Sequence, residues 1–476
     1  MNTERSIERF RNAIQIDTSW PSSENLTETH EESRTDASLS PAEQKALSAL
    51  KQFQNFLQEA YPAFNRVAER IVLNPFCVLY RWPGIQNAAD ESLPVLFLAH
   101  YDVVPVDREL WTVDPFGAEI KEGYIYGRGT LDTKNTLICA MEAAEALAER
   151  GFVPQRDIWF AFGGDEERSG AHGAQNAASW FRERNMAFSW LLDEGSIVAL
   201  NQIPGVQVPL ALIGVEEKGF LDIELLVRQA PGHASRPPER QAVAVLAEAL
   251  VRLSKRPFPY KLIPSVESFF TSLAPLVDTS TPKGVLQSLV LRNSRRLGPL
   301  FYPLAGTSPA TRALLRTTLA MTQLFGAKAD NILPAEARAI LNLRLLPGDT
   351  IESALDYVRR AIGMDEVIVR PSPYRSANNP VLADKGSPAG LYHGPGWQAL
   401  VEALSVTFPQ AKPIPFLVTA TTDSRHYADL CRAVYRFGPL ELPPAEVDRI
   451  HGHDERISLE NLQRGIAFYQ RLIEGL

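Results

Sequence analysis

The apolar run Leu96-Phe97-Leu98-Ala99 ends in His100 and, two places on, Asp102. Apolar runs are followed by Asp165, Glu166 and Glu167 (FGGDEERSG) and by Asp193 (LLDEGS), and Asp132 stands in GRGTLDTKN shortly after the run YIY. Side chains two apart on an extended segment face the same way, which sets His100 beside Asp102 with Tyr101 opposite. If the runs are strands of one α/β sheet, these polar residues stand at their carboxyl ends, the edge at which such sheets bind ligands. One histidine among several carboxylates repels itself unless a cation neutralises it. Mixed imidazole and carboxylate donors suit Zn²⁺, with Mn²⁺ or Co²⁺ as substitutes. Singly, each residue has a plainer role: Asp132 as the N-cap of the following helix, DEERSG as a solvated loop. Their recurrence at successive strand ends favours a site.

The elements that must position these residues follow from the apolar pattern. PVLFLAHYD, RDIWFAFGG and FSWLLDEGS have the near-continuous apolar character of strands buried on both faces, and helices over DTKNTLICAMEAAEALAERG and GAHGAQNAASWFRERN alternate with them. The prediction is an α/β fold, a mainly parallel mixed sheet sandwiched by helices. Near Val215 the pattern changes. GFLDIELLVRQ alternates like a strand with one wet face, a helix follows over RQAVAVLAEALVRLSK, and strand, helix and strand follow over ARAILNLRLLPGD, TIESALDYVRRAIG and EVIVRPSP. This predicts a smaller α+β unit at 215–375 inserted into a discontinuous larger domain, 1–214 and 376–476. Residues 254–325 are long for a connection and are expected to hold helices of their own. Residues 18–42, rich in Ser, Thr, Glu and Asp, are expected to be an exposed loop.

Composition narrows the function. A net charge of −8 argues against a nucleic-acid surface. Cys77, Cys139 and Cys431 follow no metal-binding or disulfide spacing and suit buried thiols in a reducing compartment. The charged N-terminal stretch lacks the apolar core of a secretory signal, and no stretch reaches the ~20 apolar residues of a membrane helix. A cytoplasmic protein with no membrane or nucleic-acid partner is expected.

The blocks LFLAHYDVVPVD, YGRGTLDTKN, GGDEERSGAHGA, LLDEGS, GHASRPP, NILPAEARAILNLRLLPG, TTDSRHY and IHGHDERI resemble, in order, the co-catalytic zinc peptidases (metallopeptidase family 20). These include aminoacylases, glutamate carboxypeptidase, carnosinase-like dipeptidases and desuccinylases. The long middle segment and TDSRHY look most like the carboxypeptidase S and N-fatty-acyl-amino-acid hydrolase branch. The resemblance spans nearly the whole chain outside 18–42. It implies a zinc-exopeptidase-like catalytic domain with a ferredoxin-like lid or dimerisation domain, and two Zn²⁺ bridged by Asp132. His100 and Asp193 would complete one metal's ligands, Glu167 and His451 the other's. Glu166 would be the general base, with Asp102 orienting His100. The family pattern also implies a cis peptide after Asp132. Asp454 departs from it, standing where Asn is usual, and His453 falls at a variable position.

By the same resemblance His233 reaches the site, sometimes from a partner subunit, to hold the oxyanion; spacing alone would leave it a solvent-exposed loop histidine. Asn331 and Arg344 would recognise substrate, Arg344 gripping a carboxylate, although a strand-edge arginine is its plainer role. Thr422, Asp423, Ser424 and Arg425 would wall the pocket, with Asp423 equally suited to a turn or cap. His30, His172, His393 and His426 are assigned no role. The expected substrate has a free carboxylate on the leaving amino acid: an N-acyl amino acid or short peptide, apolar on its acyl side. A dipeptidase or another amide deacylase is the alternative within the family. A phosphoesterase would call for a phosphate cradle, and none is found. A metal-free binding relative would lack ligands, whereas all the aligned positions are filled. A homodimer through the inserted domain is a further expectation.

Overall fold

The computed structural model describes residues 3–21, 39–85, 93–373, 377–382 and 394–476. Most of the 18–42 segment, with His30, and also His393 lie outside them. All six residues of strand Val95–His100 are buried. It runs parallel between Ile158–Gly163 and Trp190–Asp193, and Val434–Arg436 continues the parallel run beyond Trp190–Asp193. A hairpin of Glu69–Asn74 and Cys77–Trp82 adds antiparallel to Ile158–Gly163. On the other side lie Leu210–Glu217, with Lys412–Val418 parallel to it, and two short strands. The ten-stranded sheet is thus mixed, with a parallel centre.

Helices cover both faces, which is why the central strands are apolar throughout. Leu137, Ile138 and Met141 of helix Lys134–Glu149 and Leu462, Ile466 and Tyr469 of helix Leu459–Glu474 share one core with Val95, Phe97 and Ala99. Ala174, Ala177 and Phe181 of helix Ala174–Glu183 pack with Leu96, Leu98 and Leu191 on the opposite face. Helix Thr3–Gln15 is tied to Lys134–Glu149 by Arg5 with Glu149 (2.8 Å) and Arg9 with Glu142 (3.3 Å).

A second, four-stranded antiparallel sheet has the order Thr318–Phe325, Glu336–Leu345, Gly219–Arg228, Ile368–Pro371. Helices Ala242–Ser254 and Ile351–Ile362 pack into its core. Gly219–Arg228 lacks the wet face that its alternation predicts: its residues are buried up to Val227. Glu224 pairs with Arg370 (2.6 Å) and Arg338 (3.6 Å), and Asp222 accepts a hydrogen bond from Asn342 (2.8 Å). The acids are satisfied by neighbours on flanking strands, so water is not needed.

Residues 264–315 do hold helices: Pro264–Leu273, Pro282–Arg292, Gly298–Ala305 and Pro309–Leu315. Each has proline in its first turn, and Thr281 and Ser308 cap two of them. Val266, Phe270, Leu291 and Phe301 share a core with Leu210, Leu212, Ile414 and Leu417. These helices therefore pack on the edge of the ten-stranded sheet, not on the four-stranded one.

Candidate metal centre

Five segments bring the site together. His100 ends its strand 1% exposed; its Nε2 lies 3.0 Å from Asp132 Oδ1, and its Nδ1 is 3.0 Å from the Asp102 carbonyl and 3.4 Å from Asp102 Oδ1. The Asp102 carboxylate accepts hydrogen bonds from the N–H groups of Glu166 (3.2 Å) and Glu167 (3.1 Å). One acid thus abuts the histidine and holds the turn that carries both glutamates. Asp132 caps nothing: the helix begins after Thr133, which makes no side-chain cap. The Asp132–Thr133 peptide is cis. Beyond Asp132, His451 Nε2 lies 3.0 Å from Asp132 Oδ2 and 3.2 Å from Glu167 Oε1.

Two groups of potential ligand atoms result, each within 4.8 Å: His100, Asp132 and Glu194, and Asp132, Glu167 and His451. They share Asp132. The first group takes Glu194 where Asp193 was expected. Its carboxylate accepts hydrogen bonds from the N–H groups of Glu194 (2.9 Å) and Ser424 (2.8 Å), whereas Glu194 faces His100 and Asp132. Asp165 likewise supports its turn, accepting from His172 (2.7 Å) and Gly173 (2.9 Å).

The charges fit a cation site. Burial, reinforced by neighbouring carboxylates including Asp423 and Glu167, pushes Glu166 well above the usual range; burial and Asp132 do the same to Glu194. Burial opposes ionisation of Asp132, but hydrogen bonds with His100 and His451 hold its carboxyl low. His451, bonded to Asp132 and Glu167, is raised to about 10. A divalent cation in each group would relieve the crowding of acids and displace protons from both imidazoles. Two imidazoles and three carboxylates are a donor set that suits zinc.

Asp132, Glu167, Glu194 and His451 line a cavity of about 510 Å³. Glu166 lines it, with Arg425 Nη1 3.9 Å from its Oε1. Arg344 lines it from the four-stranded sheet, its guanidinium carbon 5.1 Å from the centroid of the Phe220 ring. Thr422 and Arg425 are wall residues; Asp423 and Ser424 are buried behind them. Leu212, Phe220, Phe416, Leu440 and Ile450 form apolar wall. His233 and Asn331 are not brought there: both are exposed, and His233 Nδ1 lies 2.8 Å from Ser235 Oγ. The loops holding them belong to a two-stranded ribbon, Gly232–His233 with Ile332–Leu333, none of whose residues lines the cavity within one chain. Neither His426, whose Nε2 is 3.1 Å from the Ser169 carbonyl, nor His453 lines the cavity.

Glu194 is the functional candidate that sequence reasoning missed. Its signal was the adjacent pair Asp193-Glu194, of which only one can face the site.

A parallel sheet with a histidine–carboxylate cluster at its carboxyl edge and a further acid beside it defines a class, the metal-dependent α/β hydrolases. Within that class the chain belongs to peptidase family M20/M25/M40, whose family model matches residues 96–475. It is 32% identical to the N-fatty-acyl-amino acid synthase/hydrolase PM20D1 of Mus musculus, over 98% of this chain and 87% of the relative. It is 33% identical to the probable carboxypeptidase S-like 2 of Dictyostelium discoideum, over 89% of this chain and 79% of that one. Among solved structures, the M20 family metallo-carboxypeptidase Sso-CP2 from Sulfolobus solfataricus superposes with a TM-score of 0.66 at 16% identity, covering 98% of both chains. Human carnosine dipeptidase 1 gives 0.61 at 14% identity, covering 99% of this chain and 96% of that one. The protein is an enzyme, an M20 family metallo-hydrolase. Among the described residues no helix is long and apolar enough to cross a membrane.

Proposed function

We propose that the enzyme hydrolyses the amide bond of N-acyl amino acids whose acyl group is apolar, with two divalent metals, zinc foremost, sharing Asp132. His100 and Glu194 would hold one and Glu167 and His451 the other. Bound there, the metals would polarise the amide carbonyl and acidify water. Glu166, the acid of the cluster outside both ligand groups, takes a proton from the attacking water. It returns that proton to the nitrogen as the C–N bond breaks, leaving a carboxylate and a free amine. Arg344 takes the carboxylate of the leaving amino acid through its planar fork. Short peptides with a free C-terminus satisfy the same Arg344 contact.

The carrying observation is that one cavity is lined by Glu166, by Asp132, Glu167, Glu194 and His451 of the two ligand groups, by Arg344 and by an apolar wall. The names of the mouse and Dictyostelium relatives fit that combination. His233 would act from a second copy, donating its ring N–H to the developing oxyanion. The exposed edge strand Thr318–Phe325, with Leu324 66% and Phe325 42% exposed, is the surface through which two copies would pair. The lid and dimerisation unit at 215–375 is part of this proposal.

A panel varying acyl group and amino acid separately tests the activity. The expected result is faster hydrolysis of apolar N-acyl amino acids than of their amidated counterparts. Zinc-loaded protein that leaves every such amide intact would overturn the proposal.

A further inference from the structure

The two loops that carry Asp132 and His451 are locked together by a buried ion pair. Arg128 is 3% and Glu455 0% exposed, and Arg128 Nη1 donates to Glu455 Oε2 at 2.6 Å. Neither side chain lines the cavity. Each reaches past the other to the main chain of the opposite loop. Glu455 Oε1 accepts hydrogen bonds from the N–H groups of Leu131 (2.6 Å) and Asp132 (3.3 Å), so its carboxylate holds the backbone of the shared ligand. Arg128 Nη2 donates to the carbonyls of His451 (3.2 Å) and Gly452 (3.0 Å), gripping the backbone of the histidine ligand. The Glu455 carbonyl in turn accepts from the Gly127 N–H at 2.8 Å.

The loop so gripped is not relaxed. His451 has φ +60° and Asp454 φ +51°, both in the left-handed region that side chains other than glycine seldom occupy. Such a backbone persists only where its surroundings over-determine it, and the Arg128 fork is fastened to the carbonyl of the strained residue itself. The Asp454 carboxylate accepts from Thr112 N (2.9 Å) and Oγ1 (3.0 Å), tying the outer side of the loop.

We infer that Arg128 and Glu455 are positioning residues that set the distance between Asp132 and His451, and thereby the affinity of one of the two metal positions. The inference rests on the ligand sets proposed above. Asp132 serves both positions, but the Arg128 grip is on the His451 loop alone, and His100 and Glu194 come from segments this pair does not touch, so loss of that grip with the acceptor for Leu131 kept falls on the Asp132, Glu167 and His451 position. Loss of the brace lets His451 leave its left-handed backbone and carries its imidazole away from Asp132.

The test is zinc titration of the metal-free full-length protein, read against its thermal unfolding midpoint. Wild type is expected to bind two equivalents. Arg128→Met removes the grip on His451 but strands a buried carboxylate, so it is expected to be unstable. Arg128→Met with Glu455→Gln removes the stranded charge while an amide oxygen still accepts from Leu131. The double variant is expected to regain most of the unfolding midpoint and keep one equivalent at wild-type affinity. The other equivalent, the one His451→Ala also removes, should bind 10–100-fold more weakly, about the cost of losing an outer contact to a metal ligand. A double variant with both equivalents at wild-type affinity would overturn the brace alone, as would equal weakening of both. Wild type taking up fewer than two equivalents would overturn the ligand sets, and the brace with them.

Discussion

The carboxyl edge of the ten-stranded sheet and the outer end of the four-stranded sheet both carry residues that motif reasoning places in one site, yet only the first does so within a single chain. At the large sheet His100, Glu167 and Glu194 follow parallel strands that deliver their loops to one edge, and Asp132 and His451 join them from beside the antiparallel pair Tyr124–Tyr126 and Arg456–Ser458. At the small sheet Arg344 reaches the cavity from a central strand, while His233 and Asn331 stand exposed on a ribbon beyond it. The hydrolytic groups belong to the rigid edge. What grips the substrate depends on how the second sheet, or a second copy of it, is presented.

The sharpest break between the two regions is expected at Glu166. Glu166→Gln should keep both zinc equivalents and lower kcat by about 10³-fold, the scale of a lost general acid–base. Metal analysis beside steady-state kinetics checks this; a variant stripped of zinc would move Glu166 among the ligands. His233→Ala should cost about 10²-fold, as for one oxyanion donor. Its loss should be complemented in mixtures with the Glu166→Gln protein, if each copy serves its neighbour's site. Absence of complementation in a mixed dimer would return His233 to the role of an exposed loop histidine.

Much of the large-sheet site is legible in the sequence because each residue ends an apolar run or sits in a compact motif. The choice between Asp193 and Glu194 is not. Consecutive residues at a strand end point to opposite sides, and which side faces the cluster depends on the Ser424 N–H, which claims Asp193 from a distant segment. The same limit misplaced a wet face on Gly219–Arg228, since the partners of Glu224 lie on other strands. The 264–315 helices were expected from the length of that connection, but not the sheet they would join. Glu194→Gln should therefore weaken zinc binding at one position more than tenfold, while Asp193→Asn, whose amide oxygen still accepts one of the two backbone hydrogen bonds, should weaken it less. The reverse order in a zinc titration would restore Asp193 as the ligand.

The smallest expected effect lies at the junction of the two sheets, and it is one of pH. Lys218 is fully buried between strands Leu210–Glu217 and Gly219–Arg228, donating to the carbonyls of Ala313 (3.0 Å) and Arg316 (2.9 Å). Burial, aided by the positive charge of Arg344, lowers its pKa to about 7, far below the ordinary lysine range. The folded chain therefore sheds this proton near pH 7, while the unfolded chain keeps it to well above pH 9. In that window the unfolded state binds more protons, so folding stability rises with pH. Below it both states are protonated and the dependence ends. One such group contributes at most about 1.4 kcal/mol per pH unit, and Lys134, also lowered to about 7, contributes a second share from beside the metal cluster. Lys218→Met should then lower the slope of unfolding free energy against pH between 7 and 10 relative to wild type, whatever opposing share His451 contributes. A slope unchanged by Lys218→Met would place the titrating charge at Lys134, and the junction would carry no charge-linked cost.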